Sequence, residues 1–150
     1  MTSARESATA FAFPILIGDI GGTNARFAVV ESPGTQAGAP IIVPTADHAS
    51  IDAAIRAAVI EGAGLKPASA VIAVAGPVNG DAIPLTNCPW VVQPRQMLAG
   101  LGLEDVVVLN DFEAQALAVV ALGPEHREKI GGGEPDPNAA RVVLGPGTGL

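Results

Sequence analysis

Gly18-Asp19-Ile20-Gly21-Gly22-Thr23-Asn24-Ala25-Arg26, set between two apolar runs, decides the reading of the fold. Ile15-Leu16-Ile17 before it and Phe27-Ala28-Val29-Val30 after it read as strands joined by a tight turn. The pattern places a carboxylate and two glycines at the tip of a buried hairpin. An ionised Asp19 at the end of a buried strand is costly unless something pairs with it. Gly21 and Gly22 can take positive φ and leave room for a ligand to approach the backbone. Thr23 and Asn24 add short hydrogen-bonding side chains, and Arg26 adds a charge suited to phosphate. A plain Gly-Gly turn between two strands is the alternative. The convergence of so many ligand-type residues favours a site for a nucleotide phosphate and its metal ion.

Downstream, Ile41-Ile42-Val43 reads as a third strand. Ser50 to Ala63 reads as a helix: Ser50 serves as N-cap, and Ile51, Ala54, Ile55, Ala58 and Val59 recur at helical spacing. Ala70 to Ala75 is an apolar run without polar alternation, which suits a strand in a sheet covered on both faces. Asn79-Gly80-Asp81 marks a turn, Ala82 to Thr86 a short strand, and Pro94 to Gly100 a short helix with proline near its start. Asp105 to Leu109 is a second Val-rich strand, followed by a helix over Phe112 to Leu122 and a polar helix around Glu125 to Ile130. Gly131 to Pro137 is a connector. Arg141 to Leu144 is a last strand running into Gly145-Pro146-Gly147-Thr148-Gly149-Leu150. The order predicts an α/β fold: a mixed sheet with crossover helices.

A chain of 150 residues is about one domain. It is 49% hydrophobic but only 3% aromatic, so Val, Ile, Leu and Ala must fill the core. The net charge of −7 and the scattered Lys and Arg residues argue against nucleic-acid binding. Cys88 is the only cysteine, which rules out an internal disulfide and a cysteine metal cage. No apolar run approaches the ~20 residues of a membrane helix. Ala8 to Ile17 is short, interrupted by Pro14, and continues into the Asp19 turn, so it reads as a core strand rather than a signal peptide. The chain is read as cytoplasmic.

Asn110-Asp111 sits where a buried strand meets a helix, the place where α/β sheets hold ligands. Either residue can be a simple N-cap. The functional alternative makes Asp111 a general base toward a substrate hydroxyl, with Asn110 fixing a neighbouring hydroxyl. Gly145 to Gly149 is a second glycine-rich turn after a strand, able to cradle a phosphate through its N–H groups. Neither glycine turn has a Walker ending or dinucleotide-binding spacing.

Four motifs together carry a resemblance. Gly18 to Arg26 resembles the first phosphate motif of bacterial glucokinases, members of the actin-like sugar-kinase superfamily. Thr86-Asn87-Cys88-Pro89-Trp90 is similar to that family's Thr-Asn-x-x-Trp segment, Leu109-Asn110-Asp111-Phe112 to its catalytic strand end, and Leu144 to Leu150 to its second phosphate turn. The resemblance implies the small lobe of the actin-like ATPase, or ribonuclease H-like, fold over residues 14–121. Residues 1–13 would be a leader, and 122–150 a connector and the first strand of a second lobe. It implies glucose 6-phosphorylation by ATP with Mg²⁺, a glycolytic reaction, and a homodimer of the complete enzyme. Asp19 would organise Mg²⁺ through water. Gly18, Ile20, Gly21, Gly22 and Thr23 would wrap the phosphates, with Gly147, Thr148 and Gly149 meeting them from the other lobe. Asp111 would take the proton of the sugar's 6-hydroxyl, and Asn110 would hold a ring hydroxyl. Family members are longer, so this chain is expected to show little activity alone. A related hexose or N-acyl-hexosamine kinase, or a non-catalytic nucleotide-binding module, are the alternatives.

Overall fold

The computed structural model describes residues 11–134, 136 and 138–145, Pro124 by its backbone alone. These residues form two compact units that divide between Asn110 and Asp111. In the first unit, β1 (Ile15–Ile20), β2 (Asn24–Val30), β3 (Ile41–Pro44), β4 (Ser69–Val74) and β7 (Asp105–Asn110) build one sheet in the order β3-β2-β1-β4-β7. β1, β2 and β3 are antiparallel neighbours, whereas β1, β4 and β7 run parallel. The parallel pairs require crossovers, and helices supply them. α1 (Ile51–Ala54), prolonged by a π-helix over Ile55–Gly62, leads from β3 to β4; α2 (Pro94–Leu101) lies between β4 and β7. The expected mixed α/β sheet is the observed one.

Alternation along the strands sets the core. Leu16, Ile20, Ala25, Phe27, Val29, Ala70, Ile72 and Val74 point to one face and are buried. Ile51, Ala54, Ile55 and Val59 from the helix and Met97 from α2 join them in one hydrophobic cluster. β5 (Ile83–Pro84) and β6 (Val91–Val92) form a small antiparallel hairpin whose Ile83, Trp90 and Val92 belong to the same core. The Ala70–Ala75 run suggests cover on both faces, but among the described residues Ile17, Ile42 and Val107, on the second face, are exposed.

Local signals explain the helix ends. Ser50 caps α1, its hydroxyl accepting the Ala53 N–H at 3.2 Å. Pro94 stands in the first turn of α2, and Gly102 in the left-handed conformation ends it. The helix expected over 50–63 is present, but its second part winds in π geometry, with the Ala63 N–H reaching back five residues to the Ala58 carbonyl.

The second unit holds α3 (Asp111–Ala121) and a single 3₁₀ turn at Pro124–His126. The polar helix expected to Ile130 reduces to that turn. Residues 141–144 form no ladder among the described residues, and Val142 and Leu144 are exposed. A strand is held by its neighbours' hydrogen bonds, not by its own β-propensity, and none of the described strands pairs with this run.

Candidate functional site

The parallel register puts the carboxyl ends of β1, β4 and β7 side by side: Ile20 pairs with Val74, and Val74 with Asn110. Three adjacent strand ends span about 10 Å. The Gly21–Thr23 turn leaves β1, Gly76 follows β4, and Asn110 ends β7, so the sequence-predicted Gly21, Gly22, Thr23 and Asn110 share one crest. Carboxyl ends of parallel strands are where α/β sheets place ligands.

The turn is built tightly. The Gly21 N–H donates to the Asn24 carbonyl at 3.0 Å. Neither Gly21 nor Gly22 is among the positive-φ residues, contrary to the expectation from their sequence. Gly22 is needed for space instead. A Cβ there would stand 3.0 Å from Asn87 Cβ and 3.1 Å from Asn87 O. Asn87 itself holds φ of 60°, the left-handed region that asparagine tolerates. Its loop is anchored on both sides of the proline by buried Cys88 and Trp90, the indole N–H donating to the His48 carbonyl at 2.8 Å.

A residue that sequence reasoning missed closes the turn from behind. Thr45 follows β3 directly and is buried. Its hydroxyl donates to the carbonyls of Gly22 at 2.9 Å and Thr23 at 3.1 Å, and its N–H donates to Thr23 O at 2.9 Å. Both turn carbonyls are thereby occupied. The N–H groups of Gly22 and Thr23 meet no acceptor among the described residues, and Thr23 is exposed. Successive free N–H groups in such a turn are available to an anion.

Asp19 is not buried at a strand end. It is the fifth residue of β1 and lies on the open face, 58% exposed. Arg26 is its cross-strand partner in register, and the two side chains pair at 3.1 Å. An exposed pair adds only about 0.2–1 kcal/mol, so its effect is orientation: Arg26 takes Oδ2, and Oδ1 has no partner among the described residues. A cavity of about 250 Å³ is lined by Asp19 and Arg26 of this pair together with Ile17, Gly18, Phe27, Ala28 and Pro40. Apart from that pair, its walls are apolar.

Asn110 does more than end a strand. Its Nδ2 donates to the Gly76 carbonyl at 2.8 Å, tying the exits of β4 and β7 together. Gly76 has φ of 150°, a backbone that favours glycine. In the second unit, Asp111 opens α3, and its Oδ1 accepts the Phe112 N–H at 2.9 Å. Gly147, Thr148 and Gly149 lie outside the described residues. Among those described, no three acidic, histidine or cysteine side chains gather as a metal cage, and no helix is long and apolar enough to cross a membrane.

Comparison with known proteins decides the affiliation. The family pattern described as Glucokinase matches residues 16–150. The chain belongs to the glucokinase family. A curated glucokinase of Mesorhizobium japonicum is 67% identical over all 150 residues, and one of Chelativorans sp. is 64% identical over 138. The chain spans 44% and 40% of those relatives' lengths, less than half. Among solved structures, a glucokinase from an Antarctic psychrotroph superimposes with a TM-score of 0.72 at 33% identity, covering 83% of this chain and 40% of that one. That glucokinase thus shares the fold over most of this chain.

Proposed function

We propose that this chain supplies the phosphate turn, the metal-organising acid and the catalytic base of an ATP-dependent glucokinase. The observation that carries the reading is the crest itself: a glycine turn with unpaired N–H groups, beside an asparagine fixed at the end of the parallel strand that leads into Asp111.

The Gly22 and Thr23 N–H groups bind the terminal phosphates of ATP through hydrogen bonds to charged oxygens. Magnesium fits Asp19. The ion keeps most of its waters and is commonly held by one or two carboxylates with substrate phosphates, and the Oδ1 left over by Arg26 can accept from such a water. When bound, the ion neutralises charge on the phosphate oxygens. Asp111 accepts the proton of the sugar's 6-hydroxyl as that oxygen attacks the γ-phosphorus and ADP leaves. Asn110, held by Gly76, orients a ring hydroxyl.

The test is a chimera in which residues 1–150 replace the matching 150 residues of the Mesorhizobium japonicum relative. Glucose-dependent ADP formation is expected. Asp111→Ala should abolish turnover with ATP affinity nearly retained, as loss of a base acts on the chemical step. Asp19→Asn should raise the magnesium concentration needed for half-maximal rate. A chimera that phosphorylates N-acetylmannosamine in preference to glucose assigns the other sugar. An Asp111→Ala variant with near-parental turnover removes that residue from the role.

A further inference from the structure

We infer that Thr45, 22 residues beyond the turn, is a positioning residue that presets the Thr23 N–H for phosphate. The inference rests on the proposed nucleotide site. A trans peptide points its C=O and N–H in opposite directions. Gly22 C=O and Thr23 N–H belong to one peptide plane, so a hydroxyl that holds the carbonyl on one side holds the N–H on the other. Thr45 Oγ1 does this at 2.9 Å. The following plane is fixed the same way, since Thr23 O accepts from both Thr45 Oγ1 at 3.1 Å and Thr45 N at 2.9 Å.

The strand pairing makes the arrangement rigid. Pro44 lies opposite Asn24 in the β2–β3 ladder, which carries Thr45 to the level of Thr23. Thr45 is one of only two buried polar residues among those described, 3% exposed. Buried hydroxyls are kept where they have partners, and these partners are two carbonyls of the phosphate turn. If the hydroxyl is removed, the Gly22–Thr23 plane is free to rotate. Rotation turns a carbonyl oxygen, the negative end of the peptide dipole, toward the triphosphate. Glycine at position 22 does nothing to resist it.

Thr45→Val keeps the shape and deletes the hydroxyl, whereas Thr45→Ser keeps the hydroxyl. In the chimera, T45V should raise the KM for magnesium-ATP about tenfold while leaving the KM for glucose unchanged. T45S should restore the ATP KM to near the parental value. A merely structural role would lower the melting temperature of both variants without separating the two substrates. Equal ATP KM values for T45V and T45S, or a glucose KM that moves as far as that for ATP, would overturn the inference. A second measurement does not depend on catalysis. In the 150-residue chain, the Thr23 amide resonance should shift on titration with magnesium tripolyphosphate, in the parent and in T45S but not in T45V. An unresponsive parental Thr23 amide overturns the inference even where the chimera phosphorylates glucose, and even where T45V fails to fold. An inactive chimera whose Thr23 amide responds only with the hydroxyl present removes the function reading and leaves the Thr45 role standing.

Discussion

Gly22→Ala isolates one contact. The backbone at Gly22 lies outside the left-handed region, so alanine adopts it without torsional strain. The added methyl would sit 3.0 Å from Asn87 Cβ and 3.1 Å from Asn87 O, closer than carbon and oxygen pack at rest. The Asn87 loop cannot retreat, because Trp90 is pinned in the core at 1% exposure and bonded to His48 O. Overpacking of this kind costs about 1–3 kcal/mol, against which the stiffer unfolded chain returns about 0.4–1 kcal/mol. The net loss, about 1 kcal/mol, corresponds to a fall in Tm of about 4–8 °C for a unit near 100 residues. Thermal melts of the parent, Gly22→Ala, Asn87→Gly and the double variant form a cycle. Asn87→Gly removes one of the two clashing atoms, so the double variant should recover part of the loss, with a coupling of at least about 0.5 kcal/mol. A Gly22→Ala melt that matches the parent, or strictly additive variants, would refute the close-approach account of this glycine.

Burial raises the Asp52 carboxyl above its ordinary 3.8 despite the opposing charge of Arg56, and its Oδ1 is buried with no hydrogen-bond partner among the described residues. The fold then binds more protons than the unfolded chain, so this contribution is full below the ordinary value and is lost as pH rises through the raised one. Asp52→Asn should therefore gain stability relative to the parent from about pH 4 upward, read as the difference between denaturation midpoints across pH; a constant difference would contradict it. Trp90→Phe strands the His48 carbonyl and opens a void, and should cost roughly 2–3 kcal/mol. Circular-dichroism melts check it, and a Tm within about 2 °C of the parent would count against the anchor.

Where sequence and structure agree, local pattern suffices. The β1–β2 hairpin, β4, β7 and the Ser50 cap are written in short-range spacing and turn chemistry. Two residues misled for opposite reasons. The apolar run around Ile15 hides an alternation in which Ile17 and Asp19 face the open side, so the acid expected at a buried strand end lies exposed, with Arg26 across the ladder. Gly22 carries no sign in sequence of the Asn87 backbone that excludes a side chain there. Thr45 is invisible for the same cause: a hydroxyl's partners are tertiary, and nothing in Pro44-Thr45-Ala46 names a turn two strands back. β6 spans two residues, too few for any periodicity.

The π-wound stretch Ile55–Gly62 has a bearing on length. Each wide turn takes up more residues than an α-turn for a similar advance, so this helix contains surplus chain. Losing one residue among Arg56, Ala57 and Ala58, the least buried of that stretch's first half, could be absorbed by rewinding to the narrower form with Ile51, Ile55 and the strand beyond still reaching their places. Gly62 guards the surplus, since a methyl there would strike the Ala57 carbonyl at 2.8 Å. The crossover between β3 and β4 is thus where a one-residue deletion is expected to leave the Gly21–Thr23 turn in place.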